Sequence, residues 1–355
     1  MVTSKERVMA AVNHKVSDRT AITFDAQPEL YESLYRHIGN KSREALLDFL
    51  HCDTWMVFPQ TRQSDQEKAL KQSLWGWRSV QANYNGGSYD ELCWSPLAGK
   101  DELSDIDKHA WPDPAKRQDY SHFASEIPAH KDRGIIGACC WGAYFTASFL
   151  RGMDNLLMDM AINVPYADKL IGTISEIIQA MVTRMVTAPG AEGMDIVYMA
   201  DDTCNHRAPM FGPEMYKKFV MPYLSKMTAI AHKHGKKFLL HTCGAVRQVL
   251  PMIIDCGVDM LEPIQITAAG MEPAGLKRDF GKHICFYGGV DLQHVLNRGT
   301  PQSVAGEVKR LIDILGKDGG YILGPGHTYI QVDAPIENIV AMYETADQYR
   351  PHSAS

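Results

Sequence analysis

The sequence has no apolar run of the length a membrane span needs, which excludes a helical membrane protein. It has no block of basic residues. Thirty-six lysines and arginines face 42 aspartates and glutamates, for a net charge of −6, and neither nucleic acid nor an anionic membrane is a fitting partner for such a chain. It has no low-complexity linker and no repeat beyond a strand–helix unit. Its eight cysteines (Cys52, Cys93, Cys139, Cys140, Cys204, Cys243, Cys256 and Cys285) lack framework spacing, so disulfide staples are not expected. They read as reduced thiols, most of them buried as small hydrophobes, with one or more available as ligands. The N-terminal stretch "MVTSKERVMAAVNHK" is charged early and has no apolar core of signal-peptide length. A cytoplasmic protein is expected.

What is present is a regular alternation. Short apolar runs recur at "AITFDA", "DTWMVFP", "GIIGACC", "DIVYMADD", "KKFLLHTC", "VDMLEPIQ", "HICFYGGVD" and "GYILGPGH". Amphipathic helical patterns separate them, the longest running from Tyr166 to about Val186. Continuous runs rich in β-branched and aromatic residues suit strands covered on both faces. Alternation with helices at this period implies a parallel sheet. Eight repeats within 355 residues fit a closed (β/α)8 TIM barrel better than an open sheet. The expectation is one α/β domain over residues 1–355, with a helical lead-in and a fraying tail, "PHSAS". The interval between the second and third strands is too long for a simple crossover. It contains Asn85-Gly86-Gly87 flanked by aromatics, which reads as a β-hairpin and is placed as a lid or wall over the barrel mouth.

In a parallel barrel, chemistry gathers at the carboxyl ends of the strands. His241 and Cys243 close the fifth run, and residues two apart on a strand point to the same face. A histidine nitrogen and a thiolate on one face suit a zinc ion, at about 2.0–2.3 Å from the metal. His327, at the end of the eighth run, is a candidate third ligand. Three protein ligands with one open position is the pattern of a catalytic zinc. The competing reading is a buried thiol beside a hydrogen-bonded core histidine. Asp201 and Asp202 are adjacent, so only one of them faces the site in strand geometry; sequence alone does not choose. Asp25, at the end of the first run, is either a site acid or a turn residue. Glu262 precedes Pro263, which favours extended backbone, and a buried strand glutamate needs a partner. Gly288 and Gly289 permit close approach of a bulky ligand, with Asp291 beyond them. Cys139 and Cys140 read as core packing.

The stretches "ERVMAAVNHKVSDRTAITFD", "RGMDNLLMDMAINVP", "HTCGAVRQVLPMIIDCGVDMLEPIQ", "FYGGVD" and "GYILGPGH…APIENIVAMYE" resemble the uroporphyrinogen decarboxylase superfamily from near residue 4 to near residue 345. That resemblance implies the same barrel. The porphyrinogen-decarboxylating branch carries an R-Q-A-G-R type motif that holds substrate carboxylates. The region after Asp25 reads "AQPELYESLYRHIG", with Arg36 isolated, so that activity is discounted. The corrinoid-dependent methyltransferase branch carries a zinc-binding H-x-C at one strand end and a cysteine near the last strand. His241 and Cys243 match the H-x-C, and His327 stands near the position of that cysteine. Such a replacement changes the charge and softness of the metal site.

What the resemblance implies is one zinc ion per chain, with an open fourth position for a thiol that attacks the methyl group of methyl-cobalamin. In the reverse direction, the metal acts on a methoxylated or methylated donor. Asp202 or Glu262 then orients substrate or supports a metal ligand, and Asp25, Asp201, Asp291 and Gly289 are the candidate substrate contacts. No D-x-H-x-x-G motif is present, so the corrinoid is expected on a separate carrier protein. The small-molecule partner is a thiol, tetrahydrofolate or a methylated donor, and a homodimer is compatible with the sequence. Two other readings stand beside this one. One is a metal-independent decarboxylase or lyase in which Asp25 or Asp202 holds a carboxylated substrate. The other is a non-catalytic corrinoid- or tetrapyrrole-binding module.

Overall fold

The computed structural model describes residues 2–84 and 87–350. Asn85 and Gly86 of the expected hairpin turn, and the tail read as fraying, lie outside the described residues.

All eight apolar runs form strands of one parallel sheet. In chain order they are β1 (Ala21–Ile22), β2 (Thr54–Val57), β3 (Gly134–Trp141), β4 (Ile196–Ala200), β5 (Lys237–His241), β6 (Met260–Glu262), β7 (Cys285–Val290) and β8 (Tyr321–Pro325). Each pairs with its sequence neighbour from β2 to β8, and β8 returns to β1. The seam between β1 and β2 is joined without a ladder. Asp53 N donates to Ile22 O at 2.7 Å, and Ile22 N donates back to Asp53 Oδ2 at 2.8 Å. The Asp53 carboxylate is fully buried and also takes Arg7 Nη1 at 2.7 Å and Arg19 Nη1 at 2.6 Å. A buried carboxylate with two guanidinium partners is satisfied, and here it closes the barrel.

Helices fill the intervals, and their apolar stripes pack on the sheet. The helix Val164–Val186 buries Leu170, Ile174, Ile178, Met181 and Met185 on one face, at the three-to-four-residue spacing of an amphipathic helix. The helix Met221–Lys233 ends just before Gly235, whose φ of +69° only glycine adopts without strain. Thr300 caps the start of the helix Pro301–Leu315 with a capping box. The expected insertion is present: strands Arg78–Tyr84 and Gly87–Trp94 pair antiparallel. The hairpin reaches the barrel mouth, where Tyr84 Oη donates to Gln331 Oε1 at 3.0 Å in the segment after β8. Among the described residues, no helix is long and apolar enough to cross a membrane.

Register positions the chemistry. His241, the last residue of β5, pairs with Ala200 of β4 on one side and Glu262 of β6 on the other. The residues that follow Ala200 therefore emerge beside His241, and Glu262 lies at its level.

Candidate metal centre at the barrel mouth

Asp202, His241 and Cys243 form the one group of possible metal ligands among the described residues, with ligand atoms all within 4.8 Å of one another. His241 Nε2 lies 3.2 Å from Cys243 Sγ and 3.5 Å from Asp202 Oδ1. His241 and Cys243 thus share a face, although Cys243 stands beyond the strand end. Asp202 also accepts from Cys243 N at 2.8 Å, which ties the two strand ends together. His241 is buried, 5% exposed. Its Nδ1 donates to Glu262 Oε2 at 2.7 Å, with Thr328 Oγ1 3.0 Å away. Glu262 is itself buried, and His241 is the partner a buried glutamate requires. A carboxylate on one ring nitrogen keeps the proton there and leaves the other nitrogen free as a ligand, the arrangement usual at metal-binding histidines.

Burial works against a charge on His241. Glu262 and Cys243 outweigh it and hold the imidazolium well above its ordinary range. Burial pushes the Cys243 thiol up, against the pull of His241. Burial lowers His327, and the nearby His241 lowers it further.

The donor set fits a zinc-like ion: a soft sulfur, a carboxylate-anchored imidazole and a carboxylate converge within ligand reach. His327 is outside this close group, which brings two of the three expected ligands, His241 and Cys243, together with Asp202. The His327 ring centroid is 6.3 Å from that of His241, edge to face, and its buried Nδ1 has no hydrogen-bond partner. That unpartnered atom places one more unused donor next to the cluster.

The remaining candidates separate. Asp201 and Asp202 do point apart. The Asp201 carboxylate turns away from the cluster to accept from Phe145 N at 2.7 Å, at the start of the helix Ala143–Arg151. It is a helix-capping residue rather than the substrate contact expected of it. Burial raises it to about 7. Asp25 accepts from Ala26 N and Tyr31 Oη, and burial raises it to about 6. It lines a lumen cavity of about 20 Å³ shared with Glu262, Tyr287 and Thr328, a volume near that of one water and too small for a substrate. Asp291 caps the segment Leu292–Leu296 and contacts His294 Nδ1 at 2.8 Å. Together with Gly289 and His327 it lines a larger cavity of about 260 Å³. Gly288 has φ +92°, and a Cβ there would sit 2.5 Å from Pro325 O. The close approach that requires this glycine is to β8, not to a bulky ligand. Cys139 and Cys140 are half-buried, with sulfurs 3.5 Å apart.

Two contributors escaped the sequence reading. Thr328 follows His327 and shares His241 Nδ1 with Glu262. Gln265 closes the "VDMLEPIQ" run and accepts from Gly244 N at 3.0 Å, bracing the backbone next to Cys243. Neither residue type marks itself as functional, and only its position at a strand end was available as a signal.

Comparison with known proteins follows the same lines. Residues 101–349 match the sequence model of the family described as uroporphyrinogen decarboxylase (URO-D). Methylcobamide:CoM methyltransferase MtbA of Methanosarcina acetivorans is 26% identical over 161 residues, 44% of this chain and 43% of that protein. Methylcobamide:CoM methyltransferase MtaA of Methanosarcina barkeri is 27% identical over 161 residues, 44% of this chain and 42% of that one. The similarity thus spans less than half the length of these curated relatives. A solved methyltransferase from Methanosarcina mazei shares the fold with a TM-score of 0.71 at 19% identity, covering 98% of this chain and 99% of its own. A family match over more than half of the sequence, on a barrel shared from end to end, places the chain in the uroporphyrinogen decarboxylase family.

Proposed function

We propose that the protein is a zinc-dependent methyltransferase of a corrinoid system. It moves a methyl group between methyl-cobalamin on a carrier protein, docked over the barrel mouth, and a small thiol, tetrahydrofolate or methylated donor. The observation that carries this reading is His241 Nε2, turned toward Cys243 Sγ and Asp202 Oδ1 while Nδ1 is held by Glu262. The partial similarity to proteins named methylcobamide:CoM methyltransferases supports the reaction class.

Asp202, His241 and Cys243 would hold the ion. A bound zinc ion would supply a Lewis-acidic centre at which a thiol loses its proton near neutral pH. The protein's own part is preparation. Glu262 holds the Nδ1 proton of His241 and so keeps Nε2 aimed at the ligand cluster. Asp202 accepts from Cys243 N, which sets the sulfur beside that nitrogen.

A lyase acting on a carboxylated molecule would need a cation to hold its substrate. Arg36 is exposed on the helix Pro28–Ile38 and bonds within that helix, which leaves the lyase reading with less support. The deciding experiment is metal analysis of the purified protein together with methyl-cobalamin demethylation against a panel of thiols and tetrahydrofolate, for wild type and Cys243→Ala. Stoichiometric zinc, with activity lost in the variant, is expected. Full activity in a metal-free protein or in the variant would sink the proposal.

A further inference from the structure

The cavity of about 260 Å³ next to the ligand cluster has an unusual wall. His327 stands on its cluster side, and Gln265 connects it to Gly244, the neighbour of Cys243. The rest of its polar lining is Thr267, Asp291, Gln293, Asn297 and Gln331. Among the described residues no lysine or arginine lines it, and no phenylalanine, tyrosine or tryptophan. Four side-chain amides, the Thr267 hydroxyl, the His327 imidazole and one carboxylate set its chemistry.

This wall discriminates by charge. An anionic group here would meet Asp291 and no cation in the wall itself, since the ligand cluster of His241, Asp202 and Cys243 lies beyond His327. Burying an unpaired anion is strongly unfavourable. A cationic group is little better served. Asp291 Oδ1 already accepts from Gln293 N and His294 N, and Oδ2 faces His294 Nδ1. No aromatic face is available for a cation–π contact. Amides suit a neutral hydroxyl or amide, since each offers both a donor and an acceptor. Asn297 Nδ2 is engaged by Asp333, and its Oδ1 has no partner in the protein.

We infer that this cavity receives the small-molecule methyl donor or acceptor, and that it selects a neutral, hydroxyl- or amide-bearing molecule over an anionic one. The inference rests on the methyltransferase reading for its role, and on the cavity wall for its selectivity.

The test uses three thiols with one carbon skeleton: mercaptoethanol, mercaptoethanesulfonate and aminoethanethiol. Their binding to the purified, metal-replete protein is measured by calorimetry, independently of turnover. Mercaptoethanol is expected to bind at least about tenfold more tightly than the sulfonate. Gln293→Lys places a cation at the cavity through an exposed side chain and is expected to narrow or reverse that ratio. Equal or tighter binding of the sulfonate by wild type overturns the inference. So does an unchanged ratio in the variant, a clear preference for aminoethanethiol, or no binding of any of the three. Methyl-cobalamin demethylation run in parallel separates the two readings. The expected binding preference without turnover of any thiol keeps the pocket and removes the methyl transfer. Turnover with the sulfonate preferred does the opposite.

Discussion

His241 Nδ1 donates to Glu262 Oε2 at 2.7 Å, and the opposite edge of the same ring lies 3.2 Å from Cys243 Sγ. One imidazole therefore connects a buried carboxylate to the ligand cluster. Replacing the carboxylate by a neutral amide removes the charge that holds the Nδ1 proton. Glu262→Gln is expected to weaken zinc binding by about 10- to 100-fold, the usual cost of losing such a partner. Competition with a chelating dye measures it, and an unchanged affinity would mean that Glu262 serves only as core packing.

Asp202 and His327 make opposite predictions. Asp202 lies within ligand reach of both His241 and Cys243, and His327 does not. Asp202→Asn is expected to lower zinc occupancy by more than about tenfold, because the amide oxygen keeps the bond from Cys243 N but loses the charge. His327→Gln is expected to keep the metal and to raise KM for the small substrate. Zinc content by atomic emission, beside steady-state kinetics, distinguishes them. Metal loss in the His327 variant alone would restore it as the third ligand.

Metal binding is expected to strengthen with rising pH. Without metal, His241 is held protonated by Glu262 and Cys243 against its burial, and burial keeps the Cys243 thiol protonated. A metal must displace those protons. Apparent zinc affinity between about pH 6 and pH 8 should therefore rise by about tenfold per pH unit for each proton displaced. A flat profile would show that neither group releases a proton on binding.

Asp201 supplies a stability signature of the opposite sense. Its carboxyl is raised by burial to about 7, from an ordinary value of 3.8. The folded protein then holds a proton that the unfolded chain has lost, so the group makes folding less favourable as pH rises from about 4 to about 7. The full penalty, on the order of a few kcal/mol at about 1.4 kcal/mol per pH unit, is present above that range. Asp201→Asn keeps an acceptor for Phe145 N and cannot ionise. It should match wild type near pH 4 and be the more stable near pH 8, by thermal melts across the series. A parallel offset at both pH values would contradict the assignment.

Asp53 closes the barrel between β1 and β2 and binds Arg7 and Arg19 while fully buried. Asp53→Ala would leave both guanidinium groups short of a counter-charge at the seam. A loss of about 3–5 kcal/mol is expected, seen as a lower urea midpoint. A change within error would mean that Asp18 and Asp347, which also contact these arginines, carry the seam alone.

The sequence by itself determined the eight strands, their parallel order and the end of the barrel where chemistry collects. Strand periodicity and helix stops such as Gly235 are local properties, and they survive folding unchanged. The same period of two put His241 and Cys243 on one face and sent Asp201 and Asp202 apart, although it did not say which aspartate turned inward. Tertiary structure decided that, because the choice depends on what each side chain meets. Asp201 meets the free N–H of Phe145 from β3's following helix, and Asp202 meets Cys243 N from the next strand. It also decided that Asp202, from the neighbouring strand end, stands nearer to His241 than His327 does. Register sets Ala200 and Glu262 beside His241, and the segment after β8 turns Thr328 rather than His327 onto the ring. Long-range register is a property of the closed sheet, and no single stretch of the chain contains it.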